Sequence, residues 1–195
     1  MHSLCHFIKW KFGFAFAETQ TSLAERDCLA GFVRGMGRVA EIGVWHGVTT
    51  CVLRNAMDPS GVLFAVDPYY PGRLGFSFPK LIAHQEVKTK TNGPVKWLEL
   101  TGVDAARWAV DANESDFDFI FIDGDHSYEG LKGDWESWSP LVKSGGMIAL
   151  HDSVDSGEPH MAGAGSLRYT REVISKDSRF ELVKEVRTLS VFRKL

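Results

Sequence analysis

The chain has 195 residues, 44% of them hydrophobic and 24% charged, and carries a net charge of −3. That is one ordinary domain's length, enough to bury a core without disulfides or a structural metal, and the composition excludes wholesale disorder. With 22 basic against 25 acidic residues, no Lys/Arg stripe is dense enough to be the footprint of a nucleic-acid binder.

Cys5, Cys28 and Cys51 are odd in number, widely spaced and form no C-x-x-C pair. Neither a disulfide framework nor a thiolate zinc site is indicated, and a reducing cytoplasm is the expected compartment. The chain opens on an aromatic segment, Met1 to Ala17, in which Lys9 and Lys11 interrupt Phe7, Ile8, Trp10, Phe12, Phe14 and Phe16. No uncharged run there approaches the ~20 residues of a membrane span, so no membrane partner is expected. Residues 1–36 are expected to form a helical segment packing on the domain, with a lid, a dimer contact or a weak membrane-surface helix as alternatives.

Helical spacing predicts a helix over Thr21 to Met36, capped by Thr21 or Ser22. A strand over Arg38 to Ile42 follows, then a helix over Gly47 to Met57 and a strand over Val62 to Val66. A Pro/Gly/aromatic loop, Pro68 to Phe78, leads into a polar helix from Pro79 to Lys90. Next come a strand over Val95 to Leu100, a helix over Asp104 to Asp111 and a strongly apolar strand over Phe117 to Ile122. A helix over Tyr128 to Val142 is expected to stop at Gly145-Gly146, before a strand over Met147 to Leu150. Met161 to Gly165 reads as a mobile loop over the site, followed by a helix over Ser166 to Ser175. Strands Phe180 to Val186 and Thr188 to Phe192 close the chain.

Strands alternating with helices imply right-handed βαβ units in a parallel sheet with helices on both faces. The last two strands lack a helix between them and should pair as a hairpin, leaving one strand antiparallel. In such sheets ligands bind outside the carboxyl ends of the strands, at the switch point. Polar residues just after strands are therefore the first candidates.

The first strand runs into Glu41-Ile42-Gly43-Val44-Trp45-His46-Gly47. A dinucleotide fingerprint needs a glycine where Trp45 stands, which argues against NAD or FAD. The turn is expected to offer free N–H groups to an anion, while Glu41 attracts an ammonium; a ligand with both, such as an amino acid, fits. Asp67 ends the second strand, where an acid commonly takes a ribose hydroxyl pair. Asp104, after the third strand, either caps a helix or meets an adenine amino group. The fourth strand ends in Asp123-Gly124-Asp125-His126, and neighbouring carboxylates make that imidazole a better base. The fifth ends in His151-Asp152, so Asp123 and Asp152 are candidates to share a divalent cation.

With these residues in view, the chain resembles the class I S-adenosylmethionine-dependent methyltransferases. The carrying motifs are Glu41-x-Gly43-x-x-x-Gly47, Asp67, the run from Phe117 through Asp123 and His126 to Gly130, and Gly145 to Asp152. The later stretch is similar to a small bacterial group that includes macrocin-type sugar O-methyltransferases and cephalosporin-hydroxylase-like proteins. The resemblance implies a Rossmann-like α/β fold over residues 37–195, with a mostly parallel seven-stranded sheet. It implies that Glu41, Gly43 and Gly47 hold the methionine part of S-adenosylmethionine and that Asp67 holds the ribose. Asp104 and Ala105 lie near adenine on the same grounds, and Thr49 and Asp123 complete the cofactor set. Asp123 and His126 match the relatives' Mg²⁺-binding acid and base. Those relatives carry two adjacent acids on the fifth strand, where this chain has His151-Asp152. The leading expectation is methyl transfer to a hydroxyl oxygen of a small molecule such as a sugar or another secondary metabolite. A homodimer is left open. Alternatives are a non-methylating hydroxylase-like tailoring protein, a non-catalytic binding module and, more distantly, an NAD enzyme.

Overall fold

The computed structural model describes residues 2–157 and 161–195. Seven strands form one sheet: β1 (Arg38–Ile42), β2 (Val62–Val66), β3 (Val95–Leu98), β4 (Phe117–Ile122), β5 (Val142–Leu150), β6 (Phe180–Val186) and β7 (Leu189–Lys194). Their order across the sheet is β3-β2-β1-β4-β5-β7-β6. β1 to β5 are mutually parallel, and β7 alone runs antiparallel to its neighbours β5 and β6. The chain winds outward from β1 in one direction and from β4 in the other, so the switch point lies between those two strands.

The helices are α1 (His2–Lys11), α2 (Leu23–Val33), α3 (Val48–Ala56), α4 (Phe78–Lys90), α5 (Gly102–Asp111), α6 (Tyr128–Trp138) and α7 (Gly165–Glu172). None of the described helices is long and apolar enough to cross a membrane. β4 is apolar without interruption from Phe119 to Ile122 because both of its faces are covered there. Ile120 and Ile122 join a core with Phe64, Trp135 and Trp138, while Phe119 and Phe121 join Leu29, Leu53 and Val191 on the opposite face.

α2 starts in a complete capping box, with the Ser22 hydroxyl accepting from the Glu25 N–H and the Glu25 carboxylate accepting from the Ser22 N–H. α1 lies against α4: the Trp10 indole N–H donates to Glu86 Oε1 at 2.8 Å, and Phe7 packs on Phe78 with ring centroids 5.0 Å apart. Phe12, Phe14 and Phe16 beyond it are exposed.

One local expectation is corrected. α6 ends at Trp138 rather than Val142, and Ser139–Leu141 is a 3-10 turn. Pro140 has no N–H to continue the helix, and its ring obstructs the preceding turn. Val142 instead pairs with Phe117, and Gly145-Gly146 sits inside β5. A Cβ on Gly146 would fall 2.9 Å from the Phe117 carbonyl oxygen, so the glycine there serves strand packing. The expected loop Met161 to Gly165 is held at its two ends, while Gly163 between them is exposed. Met161 is buried in a 3-10 turn, and the Ser166 N–H donates to the His126 carbonyl at 2.9 Å. A Cβ on Gly165 would fall 2.2 Å from the Tyr128 nitrogen. Residues 158–160 of the loop after Asp152 lie outside the described residues.

Candidate active site

A cavity of about 670 Å³ opens at the carboxyl ends of β1, β2 and β4, at the switch point. Its wall includes Gly43 to Trp45, Asp67, Thr101 to Val103, Asp123 to His126 and Asp134. Glu18, Thr19 and Gln20 close one side. The Glu18 N–H donates to His46 Nδ1 at 3.0 Å, which fastens that segment to the turn after β1.

The β1–α3 turn is built by close approach. Gly43 has φ +91°, and a Cβ on it would lie 2.1 Å from the Asp123 carbonyl oxygen, so only glycine lets β1 and β4 end side by side. Trp45 holds a left-handed backbone at φ 49°, a conformation that costs roughly 1–2 kcal/mol in a residue with a Cβ. Its indole stacks on His46 at 4.5 Å. The turn's N–H groups are not free as expected. Those of Val44 and Trp45 donate to Asp67 Oδ2 at 3.1 and 2.9 Å, and the Tyr69 N–H donates to Oδ1 at 2.9 Å. The strand-end acid thus neutralises the turn while lining the cavity.

The other expected cofactor residues divide. Thr49 lines the cavity, its hydroxyl 3.2 Å from that of Thr21. Glu41 is 0% exposed, outside the lining, and neither carboxyl oxygen has a hydrogen-bond partner among the described residues. Burial pushes its pKa well above the ordinary value, and the charges of Asp123 and Asp67 add to it. Gly47 shapes the start of α3 at φ +75°, against Ala83, rather than lining the cavity. Asp104 does not cap α5, a place Thr101 takes; it is an exposed acid of the first turn that accepts from the Thr101 hydroxyl at 2.8 Å and meets Arg107 at 3.1 Å, and Ala105 is on the buried face of α5. Neither lines the cavity; Thr101, Gly102 and Val103, one turn earlier, do.

Asp123, His126, His151 and Asp152 do converge. His126 Nε2 is 3.6 Å from Asp123 Oδ1, and its Nδ1 is 3.5 Å from Asp152 Oδ2. His151 is 4% exposed, with Nδ1 in ion-pair contact 2.9 Å from Asp123 Oδ1 and 3.7 Å from Asp152 Oδ1. On its far side, Nε2 is 3.8 Å from Glu25 Oε2. Burial by itself would lower the His151 pKa, but Asp123 and Glu25, then Asp152, raise it to about 10. Burial would raise that of Glu25, but His151, Ser22 and Thr188 hold it well below the usual carboxylate range. Glu25 also accepts from the Thr188 N–H at 3.0 Å and its hydroxyl at 2.8 Å.

This donor set fits Mg²⁺ poorly. At this site Asp123, His126 and His151 each bring a ligand atom within reach of one common ion, where the expected pair was Asp123 and Asp152. Mg²⁺ favours oxygen ligands. Here two of the three groups offer nitrogen, and His151 brings its own positive charge to Asp123.

Glu25, Asp134 and the segment 18–20 escaped the strand-end filter. Asp134 carries a signal in hindsight: it is an acid among Leu131, Trp135 and Trp138 on the buried side of α6. Glu25 shows its capping box in the sequence but not its contact with His151. Glu18 to Gln20 carry no sequence signal.

A family model described as a methyltransferase domain matches residues 40–153. Among solved structures, the chain is similar to an O-methyltransferase from Bacillus cereus in complex with S-adenosylhomocysteine. The TM-score is 0.72 at 19% identity, covering 100% of this chain and 91% of that one. It is also similar to the O-methyltransferase TomG from Streptomyces achromogenes, involved in tomaymycin synthesis (TM-score 0.69, 15% identity, 100% and 90% coverage). A third is CalS11, a TDP-rhamnose 3′-O-methyltransferase of calicheamicin biosynthesis (TM-score 0.62, 16% identity, 98% and 93% coverage). An uncharacterized protein of Sinorhizobium fredii, y4gI, is 25% identical over 139 residues; these make up 70% of this chain but only 15% of that much longer protein. By its fold, its strand-end motifs and the domain match over more than half its length, the chain belongs to the methyltransferase-domain family.

Proposed function

We propose that the chain binds S-adenosylmethionine in the large cavity and methylates a hydroxyl oxygen of a small molecule, with His126 as base. The observation that carries this reading is His126 on the rim of a switch-point cavity, between the carboxylates of Asp123 and Asp152. The solved relatives that hold S-adenosylhomocysteine or S-adenosylmethionine support the choice of cofactor. In this reading residues 37–195 are the methyltransferase domain, and residues 1–36 are a helical segment that walls its site.

S-adenosylmethionine, when bound, supplies an electrophilic methyl group: the O–CH₃ bond forms, the S–CH₃ bond breaks and S-adenosylhomocysteine leaves. Most of the rate enhancement comes from holding oxygen, carbon and sulfur in line, which is the task of the rigid turn at Gly43 and the strand-end Asp67. His126 takes the hydroxyl proton as the bond forms, and Asp123 and Asp152 orient and stabilise the resulting imidazolium. No step is routed through a metal.

The test is methyl transfer to a panel of alcohols, phenols and sugars, followed by mass spectrometry of product and S-adenosylhomocysteine. His126→Ala should lower turnover by about 10²–10⁴-fold and leave cofactor affinity by calorimetry unchanged. Full turnover in His126→Ala removes the base, and a methyl group found only on nitrogen or carbon removes the O-transfer.

A further inference from the structure

We propose that His6, Glu18 and His46 form a binding site for a divalent transition-metal ion of the zinc class, which staples the N-terminal segment to the wall of the large cavity. The site shares no residue with the cluster of Asp123, His126 and His151, and it goes beyond the transfer reaction.

Three separate parts of the chain supply the ligands: His6 from α1, Glu18 from the segment that follows it, and His46 from the turn after β1. Each brings a ligand atom within reach of one common ion. His6 Nδ1 is 3.3 Å from Glu18 Oε1, and His46 Nδ1 is 4.0 Å from Glu18 Oε2. The two imidazole planes are 5° apart with ring centroids separated by 5.1 Å, and both rings present Nδ1 to the same carboxylate. Two imidazole nitrogens and a carboxylate oxygen, with a fourth position left to water, form a donor set that Zn²⁺ accepts. Mg²⁺, which favours oxygen ligands, suits this set poorly.

The electrons of the cluster call for a cation. His46 Nδ1 accepts the Glu18 N–H at 3.0 Å, so that nitrogen carries a lone pair and no proton. Burial, and then the neighbouring His6, lower the His46 pKa to about 4, which keeps the ring neutral, the form that ligates a metal. The lone pair and the Glu18 carboxylate are both electron-pair donors, and they face each other 4.0 Å apart with no proton between them. That contact is repulsive by itself, and a cation between the two makes it attractive. The ion takes the lone pair that now accepts the Glu18 N–H, exchanging one hydrogen bond for a coordinate bond. Glu18 is exposed, so its N–H can turn to water instead.

The position of the ligands sets what the ion does. Glu18 lines the large cavity with Thr19 and Gln20, and His46 follows Trp45, which lines it as well. His6 belongs to α1, which is otherwise tied to α4 through Trp10 and Phe7. One ion bound to all three joins α1, the cavity wall and the turn after β1 at a single point. His6 and Glu18 lie outside residues 40–153, the stretch that matches the family, so the site belongs to this chain's N-terminal addition rather than to the shared domain. The ion is a staple with no share in proton removal by His126. Its loss loosens the segment and leaves methyl transfer in place.

The experiment titrates Zn²⁺ into the full chain, stripped of metal with a chelator, by calorimetry near neutral pH. A parallel titration with Co²⁺ reads the geometry, since a tetrahedral site gives intense visible absorption. The parent should bind Zn²⁺, and Asp123→Asn, which takes a ligand from the other cluster, should keep a site of the same affinity. His6→Ala and Glu18→Gln should each weaken that site by more than about tenfold, since even groups that merely orient a metal ligand are worth about 10–100-fold. Glu18→Gln, at an exposed position, removes a ligand without disturbing a packed side chain. Excess Zn²⁺ should raise the melting temperature of Asp123→Asn but not of the double variant with Glu18→Gln. The assignment is overturned if the parent binds no Zn²⁺, if Asp123→Asn alone abolishes binding, or if Glu18→Gln binds as tightly as the parent. None of these readouts needs turnover, so each is independent of the O-transfer reading.

Discussion

Asp134 offers the sharpest test of the site's electrostatics. It stands on α6, 6% exposed, and lines the large cavity. Burial, and secondarily the charge of Asp125, raises its pKa from 3.8 to about 7. The folded protein therefore keeps a proton that the unfolded chain releases. Stability supplied by that proton is present at low pH, declines as pH rises from about 4 to about 7, and is gone above it. A rise from 3.8 to about 7 corresponds to about 4 kcal/mol of penalty on the charged form.

Asp134→Asn keeps the shape and removes the ionisation. The variant should exceed the parent by up to about 4 kcal/mol at pH 8 and match it closely at pH 4. At roughly 2–4 °C per kcal/mol for a domain of this size, the melting temperatures should diverge by on the order of 10 °C across that range. His151 imposes its own trend, since its ion pairs are fully present below its unfolded value of 6.5 and are lost as pH passes about 10. That trend is common to both proteins and cancels in the difference. Calorimetric melts of parent and variant at pH 4, 6 and 8, without cofactor, provide the measurement. An equal difference at all three pH values would refute the buried, protonated carboxyl.

Three further outcomes follow from named contacts. Gly43→Ala places a Cβ 2.1 Å from the Asp123 carbonyl oxygen at φ +91°, so β1 and β4 must part; we expect a loss of about 3 kcal/mol together with cofactor binding, read by denaturant titration and calorimetry. Glu25→Ala strips His151 of one buried partner and Thr188 of its acceptor, which should cost about 3 kcal/mol; a denaturant midpoint shift worth less than about 1 kcal/mol would contradict that role. Methyl transfer should survive dialysis against a chelator, because His151 supplies the positive charge beside Asp123. Loss of activity restored by added Mg²⁺ would show that the metal-free description is wrong.

Local chemistry made much of the fold legible. β1, β2 and β4 fall on the expected residues because each is a short, mostly apolar run closed by an acid or a glycine, and β6 does so as one arm of the closing hairpin. β5 begins earlier than its apolar stretch suggests, because Tyr128 to Val142 keeps helical spacing past Trp138 while Pro140 ends the helix. The parallel order, with a single antiparallel strand from the hairpin, followed from the alternation of elements.

The candidate site was legible only as far as strand ends could place it. Asp67, Asp123, His126 and Asp152 gather at one sheet edge because parallel strands bring their carboxyl ends together, and that is a property of topology which residue order already contains. The sequence by itself determined the methyltransferase scaffold and which polar residues meet at that edge. The tertiary structure alone decided that Asp67 would satisfy the Val44 and Trp45 N–H groups, that Glu25 would reach His151, that Asp134 would be buried enough to keep its proton, and that His6 and Glu18 would meet His46. Such features depend on desolvation and on contacts between segments far apart in the chain, and no local period or spacing encodes either.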